Sequence, residues 1–134
     1  MNFVAFEVDN NIVNPDTIPL MQLTSPKKKY LTDSEELSLY FKLLELFRNE
    51  KLFLEPDISL NKVAALLETN VKYLSYVINN QTENNFKYFV NKFRVQEFQR
   101  IVSLKEMENY TLFSIGQHCG FKNKSTFYNV ILNH

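Results

Sequence analysis

The chain has 134 residues, 45% of them hydrophobic, with 15 basic and 15 acidic side chains. That length supports one ordinary core or two small ones, and two glycines with four prolines leave little material for the turns of an all-β fold. Its single cysteine, Cys119, excludes an internal disulfide, and no run approaches the ~18 apolar residues of a membrane span. The composition therefore predicts a soluble all-α protein, and we expect it in the cytoplasm.

The net charge of zero hides a division of charge along the chain. Residues 1–58 carry six basic and ten acidic side chains, whereas residues 59–134 carry nine basic and five acidic ones. A basic unit behind an acidic one favours a polyanion as the partner of the basic part. The excess is only four charges, so it does not by itself identify a nucleic-acid partner, and the sequence motifs are needed for that.

The first 58 residues contain one predicted helix. Residues 1–31 are expected to be irregular because three prolines interrupt them, and Lys27–Lys29 is interpreted as a solvated tether in preference to a phosphate clamp. Residues 32–58 are predicted to form an amphipathic helix and a connector. Thr32 and Glu35 have the spacing of a capping box at the start of this helix. Its apolar residues then recur with the helical period and are expected to face the core: Leu37, Tyr40, Phe41, Leu44 and Phe47.

The remaining chain contains two copies of one pattern. The first helix of each copy has apolar or small residues at i, i+3, i+4 and i+7: Leu60, Val63, Ala64 and Leu67, then Leu112, Ile115, Gly116 and Cys119. The second helices share a core triplet: Leu74, Val77 and Ile78, then Phe127, Val130 and Ile131. Asn70 and Asn123 are the expected N-caps of these second helices, and the small residues Ala64 and Gly116 permit a close helix crossing. The pattern predicts two helix-turn-helix units, at residues 59–84 and 104–134.

Residues 85–103 are predicted to form one long linker helix between the two units. Its apolar residues fall on two faces: Phe86, Phe89, Val90, Phe93 and Ile101 on one, and Tyr88, Val95, Phe98 and Val102 on the other. A helix with two apolar faces needs a packing partner on each side. The cations Lys92, Arg94 and Arg100 are expected to face solvent or to form internal ion pairs.

Residues 30–134 resemble the DNA-binding region of AraC/XylS-type transcription regulators. The resemblance rests on three blocks in order, SLNKVAALLETNVKYLSYVIN, NFKYFVNKFRV and TLFSIGQHCGFKNKSTFYNV, and Asn91 to Val95 matches a strong family signature. The lead-in from Tyr30 to Leu60 is similar to the segment that precedes this domain in Bacteroidetes-type members, often attached to membrane or periplasmic sensing regions. The resemblance implies two helix-turn-helix subdomains on a linker helix, with double-stranded DNA as the partner.

Two departures from the family pattern produce expectations of their own. The family usually has glycine where Glu83 stands, so the turn there is expected to close without a residue of positive φ. The family also continues beyond the position of His134 through a turn to another helix. The second unit is therefore expected to lack its last helix and to be the less stable of the two.

The outward residues of the two second helices are the candidate DNA contacts. Lysine donates to guanine O6 and N7, asparagine pairs with adenine N6 and N7, and serine contacts several base edges. The candidate base contacts are Lys72, Ser75, Tyr76, Asn79, Lys124, Ser125, Tyr128 and Asn129. The candidate phosphate contacts are Asn70, Asn80, Lys122 and Asn123. For any one of these residues, a solvated polar face is the open alternative.

No enzyme, cofactor or metal site is predicted. His118 and Cys119 are adjacent and point about 100° apart on a helix, which makes them a poor pair for nucleophile and base or for a metal. No small-molecule site and no membrane contact are expected in this segment, although the resemblance implies that the chain is the cytoplasmic part of a larger membrane-linked regulator.

The function predicted from these features is sequence-specific DNA binding, with two recognition helices in adjacent major-groove segments. The alternative is a protein–protein interaction or oligomerisation module, forming a homodimer through the N-terminal helix or the shortened second unit.

Overall fold

The computed structural model describes residues 29–133, which form six α-helices and two short 3-10 turns without any strand. The helices are α1 Asp33–Glu50, α2 Leu60–Leu66, α3 Val71–Thr82, α4 Phe86–Ile101, α5 Leu112–His118 and α6 Lys124–Asn133; the 3-10 turns are Leu52–Leu54 and Lys105–Met107. The predicted all-α class is confirmed for this part of the chain. Most of the predicted irregular segment, including Lys27 and Lys28, lies outside the described residues. Among the helices described, none has the length and apolar character to cross a membrane.

Helix α1 begins at the predicted capping box. The backbone N–H of Glu35 donates to Thr32 Oγ1 at 3.1 Å, and the N–H of Thr32 donates to Glu35 Oε1 at 2.9 Å. These two bonds satisfy donors that the first turn of a helix leaves unpaired. The sequence alone therefore located this helix start correctly.

The buried face of α1 differs from the predicted stripe. Leu43 and Phe47 are fully buried, whereas Leu37 and Phe41 are 45% and 62% exposed. Helix α1 packs against α3 and the first 3-10 turn, and this contact turns the face that contains Glu36 and Leu43 inward. The expectation that Leu37 and Phe41 face the core was wrong. Helix α3 and the first 3-10 turn cover only part of the predicted apolar stripe of α1, and these two residues lie outside the covered part.

Helix α4 separates two hydrophobic clusters, as the two apolar faces predicted. Phe89 and Val90, in its N-terminal half, belong to a cluster with α1, α2 and α3, whereas Val95 and Phe98 belong to a cluster with α5 and α6. The division follows the length of the helix as well as its circumference. Ile101, assigned by periodicity to the first face, therefore packs in the second cluster, and Tyr88, assigned to the second face, is 37% exposed near the N-terminal end of α4.

The two pairs of short helices repeat one turn, hydrogen bond by hydrogen bond. After α2, the N–H of Glu68 donates to Ala65 O and that of Thr69 to Ala64 O; after α5, the same bonds recur 52 residues later from Gly120 to Gln117 O and from Phe121 to Gly116 O. Glu68 and Gly120 both have positive φ, at 57° and 106°. The sequence repeat is therefore a repeat of backbone geometry.

The small residue of the second pair is required by packing. A Cβ built on Gly116 would lie 2.5 Å from the ring of Phe127, which is fully buried. In the first pair, the equivalent Ala64 is 3% exposed. The predicted close approach of the two helices is thus present in both pairs.

The turn after α3 corrects one expectation. Glu83 has φ 58°, and its N–H donates to Asn79 O at 2.9 Å. The turn closes through a left-handed residue after all, with glutamate in the place where glycine was expected. A left-handed residue that carries a side chain costs roughly 1 kcal/mol more than glycine there, which the packing of α3 against α1 and α4 offsets.

Candidate nucleic-acid interface

Both second helices begin with an asparagine cap, as predicted. Asn70 Oδ1 accepts from the N–H of Tyr73 at 2.8 Å, and Asn123 Oδ1 accepts from the N–H of Thr126 at 2.8 Å. Each cap leaves its Nδ2 donor and the first backbone N–H groups of the helix for an external acceptor. The positive end of the helix dipole lies at the same place, so these two termini are suited to phosphate.

The four candidate base contacts on α3 share one face but differ in exposure. Lys72 and Asn79 are exposed, whereas Ser75 and Tyr76 are half-buried. Asn79 Nδ2 donates to Ser75 Oγ at 3.4 Å, a long bond one helical turn apart. The amide of Asn79 therefore has a weak internal partner that a base edge would displace.

Tyr30 lies on this face and was not predicted to take part. Its ring centroid is 4.5 Å from Lys72 Nζ and 5.3 Å from the ring of Tyr76, edge to face, and 6.3 Å from that of Tyr73. A lysine held over an aromatic face gains a cation–π interaction. No signal in the sequence links Tyr30 to residues more than forty positions away, because only the packing of α1 against α3 brings them together.

The four candidates on α6 are more open to solvent. Lys124, Ser125 and Asn129 are exposed, and Tyr128 is 36% exposed with its ring centroid 4.9 Å from that of Phe127. Phe127 is buried and fixes the orientation of α6 against the linker helix, where its ring meets that of Phe98 at 5.3 Å. The polar residues around it are thereby held on the outer side.

The other two candidate phosphate contacts, Asn80 and Lys122, have side-chain partners elsewhere in the protein. Asn80 Nδ2 donates to Glu36 Oε1 at 3.3 Å, and Gln81 beside it donates to Glu36 Oε2 at 2.6 Å. Glu36 is only 8% exposed, so this pair of bonds ties the C-terminal half of α3 to α1. The structure thus gives Asn80 a role in positioning α3.

Lys122 forms an ion pair with Asp57 of the connector that precedes α2. The two atoms Lys122 Nζ and Asp57 Oδ1 are 2.6 Å apart, and the lysine holds the pKa of Asp57 below its ordinary value. Both side chains are largely exposed, at 66% and 74%, so the pair is screened by water and contributes little stability. Lys122 is therefore available to a stronger anion.

The three linker cations have three different surroundings. Lys92 is exposed, and Arg100 donates to Glu97 from two nitrogens, in agreement with the prediction. Arg94 is only 9% exposed and donates from Nε to Phe53 O and from Nη2 to Glu55 O. The expectation for Arg94 was wrong, because its partners are main-chain carbonyl groups of the connector, which no sequence pattern marks.

Cys119 and His118 have unlike environments. Cys119 is fully buried, and burial raises the pKa of its thiol to about 12, whereas His118 is exposed and faces Tyr110. Cys119 fills the predicted core position of the second pair. Within residues 29–133, no group of three or more His, Cys, Asp or Glu side chains is placed to hold a metal ion.

Comparison of the chain with family models, with curated proteins and with solved structures gives no match.

Proposed function

We propose that the chain is a sequence-specific DNA-binding module of the AraC/XylS type, which inserts α3 and α6 into adjacent segments of the major groove. The observation that carries the proposal is the repeated unit of short helix, left-handed turn and asparagine-capped second helix, present twice with the same turn hydrogen bonds. Such a unit presents the N-terminal half of its second helix to DNA. As a DNA-binding module it would act in the cytoplasm.

The side chains on the two second helices suit base edges. Each helix carries one exposed lysine near its start, Lys72 or Lys124, and one exposed asparagine further along, Asn79 or Asn129. Lysine donors recognise guanine and the asparagine amide recognises adenine in the major groove. A helix about 10–12 Å across also matches the ~12 Å width of that groove.

Selection of duplexes from a random DNA pool tests this proposal. The full chain should enrich one sequence that spans two half-sites about one helical turn, or ~10 bp, apart. Binding of the enriched duplex, measured by fluorescence anisotropy, should weaken with salt at a log-log slope near −0.9 for each phosphate neutralised.

Matched lysine variants separate base recognition from general charge. Lys72→Ala and Lys124→Ala should each lose ~1–3 kcal/mol of discrimination at a few adjacent base pairs. Lys42→Ala removes an exposed lysine from α1 and should leave that discrimination intact. A pool that yields no enriched sequence, or equal losses for Lys42→Ala and Lys72→Ala, would contradict the proposal.

The exposed apolar pair on α1 favours a second function, self-association. Leu37 and Phe41 lie one turn apart and are 45% and 62% exposed, so they form a contiguous exposed apolar patch on α1. Two copies of α1 packed through these residues would bring two DNA-binding modules together. Analytical ultracentrifugation of the chain and of Phe41→Lys tests this, since a dimer should dissociate in the variant.

A further inference from the structure

A cavity of about 260 Å³ lies at the junction of the two helix pairs. Its walls are the connector before α2, the N-terminal half of α4 and the beginning of α6. We call it the junction cavity. Its apolar wall includes Val90 and Phe121, and its polar residues are Lys87, Asn91, Arg94, Lys122, Asn123 and Thr126. The cavity therefore combines cations and neutral donors contributed by the linker helix and by the second unit.

Asn91 is the buried polar residue of the junction cavity whose partners matter most. It is 7% exposed, and within the described part of the chain its side-chain amide has no hydrogen-bond partner. A buried amide without a partner is destabilising, and such groups in native proteins are nearly always satisfied. Asn91 lies one helical turn from Lys87, so both residues project from the same side of α4. Among residues 29–133, no group accepts a hydrogen bond from Asn91 Nδ2, so this donor can serve an external acceptor.

The N-terminus of α6 opens onto the same cavity. Helix α6 has ten residues, and the Asn123 cap occupies only the N–H of Thr126. The N–H groups of Lys124 and Ser125 have no partner within the helix, because the first turn lacks acceptors for them. Two lysines line the cavity near this terminus. Lys87 is exposed, and Lys122 forms the surface ion pair with Asp57.

We propose that the junction cavity binds a phosphate group. The amide of Asn91 and the N-terminus of α6 would donate to its oxygens, while Lys87 and Lys122 would neutralise its charge. A tetrahedral anion suits these donors because they approach from two helices and from the turn before α6. Arg94 closes the inner wall of the cavity; its two hydrogen bonds to the connector carbonyls keep the guanidinium in place. Asp57 competes for Lys122 and must release it.

The phosphate group has two possible sources, the DNA backbone and a free phosphate compound. Only the first source rests on the proposed function. A phosphate bound here would hold the beginning of α6 against the linker helix, on which α3 also packs, and would thereby help to fix the spacing of α3 and α6.

The test is a titration of inorganic phosphate into the ¹⁵N-labelled full chain, without DNA and with ionic strength balanced by chloride. The side-chain amide signals of Asn91 and the backbone amide signals of Lys124 and Ser125 should shift and saturate. Lys87→Gln should weaken phosphate binding about two- to fivefold, as expected for one exposed charge. Asp57→Asn should strengthen it, since the variant frees Lys122.

Lys92→Gln is the matched control, because it removes the same charge from the same helix. Lys92 lies in a separate groove with Tyr40 and Gln81, away from the junction cavity. Shifts that grow without saturation, or equal weakening by Lys92→Gln and Lys87→Gln, would overturn the proposal. Asn91→Leu, once its fold is verified by its amide spectrum, should abolish saturable binding; unchanged binding in this variant would also overturn it.

The salt dependence of DNA binding identifies the source. If the group is a backbone phosphate, Lys87→Gln reduces the log-log slope by about 0.9 and inorganic phosphate competes with DNA. If the group is a free phosphate compound, Lys87→Gln weakens phosphate binding and leaves the DNA slope unchanged. If the chain binds phosphate but does not bind DNA, the proposed phosphate site is supported and only the proposed DNA-binding function is refuted.

Discussion

Arg94 on the linker helix donates from Nε to the main-chain carbonyl oxygen of Phe53 at 2.7 Å. The same guanidinium donates from Nη2 to Glu55 O at 2.8 Å, and its carbon lies 5.9 Å from the ring centroid of Phe121 in the second helix pair. One buried side chain therefore touches the connector of the first unit and the turn of the second. The relative position of the two units depends on this contact.

Arg94→Met should destabilise the chain by ~2–5 kcal/mol. The variant keeps an apolar stem of similar length but leaves the carbonyl groups of Phe53 and Glu55 without a donor, at a cost of ~1–3 kcal/mol for each buried group. Urea unfolding followed by circular dichroism measures the loss. Arg100→Met is the control: the Arg100 side chain is 58% exposed, and its partner Glu97 keeps a second cation, Lys51, at 3.8 Å, so the loss should stay below ~1 kcal/mol. Equal losses would show that the buried hydrogen bonds contribute nothing beyond the charge.

Gly120→Ala should be strongly destabilising for two independent reasons. Gly120 has φ 106°, a conformation that side chains rarely adopt, and a Cβ there would overlap Phe53 O and lie 2.7 Å from Arg94 Nε. We expect a loss of at least ~2 kcal/mol in thermal or urea unfolding. Glu68→Ala changes the equivalent turn of the first pair without adding a Cβ and should alter stability far less. A mild effect of Gly120→Ala would show that this junction is loosely packed.

Phe47→Ala and Phe41→Ala compare one substitution on two faces of α1. Phe47 is fully buried, with its ring centroid 5.0 Å from that of Phe89 and 5.4 Å from that of Phe93, so its loss should cost ~3–5 kcal/mol. Phe41 is 62% exposed, and its replacement should change the free energy of unfolding by less than ~0.5 kcal/mol. Similar losses in the two variants would mean that α1 is rotated relative to the arrangement described.

Tyr30 and Lys72 should act together in DNA binding. Because the Tyr30 ring holds Lys72 Nζ at 4.5 Å, Tyr30→Ala should weaken discrimination at the base pairs that Lys72→Ala affects. In a double-mutant cycle measured by anisotropy, the coupling energy should reach ~0.5–1 kcal/mol. If the losses of the two single variants simply add in the double variant, the contact between the Tyr30 ring and Lys72 does not contribute to DNA binding.

Because of Cys119, the free energy of unfolding should decrease as the pH rises above about 9. Burial, with the carboxylate of Glu97, raises the pKa of its thiol from 9.0 to about 12. A pKa raised by folding contributes stability that is complete below about pH 9 and is lost as pH rises toward 12. The stability of wild type relative to Cys119→Ala should therefore fall by up to ~1.4 kcal/mol per pH unit above pH 9. A difference that stays constant from pH 8 to pH 11 would show that solvent reaches the thiol.

The sequence by itself was sufficient for the local features of this protein. The caps at Thr32, Asn70 and Asn123, the repeated turns and the helical class all depend on side chains and backbone groups within about five residues of one another. Such short-range chemistry is visible in residue types and spacing. The apolar period also located most of the buried residues on α2, α3 and α4, because neighbouring helices cover one side of α2 and of α3 and two sides of α4.

The tertiary structure determined the features that depend on which helices pack against each other. It brought the ring of Tyr30 into contact with Lys72 of α3, the carboxylate of Glu36 into hydrogen-bond contact with Asn80, and the guanidinium of Arg94 close to Gly120. It also exposed Phe41, which periodicity had placed in the core, and buried Asn91 in the junction cavity without a hydrogen-bond partner among residues 29–133. These outcomes depend on contacts between residues far apart in the chain, where the spacing of residue types carries no information, because helix orientation is set by packing rather than by local preference.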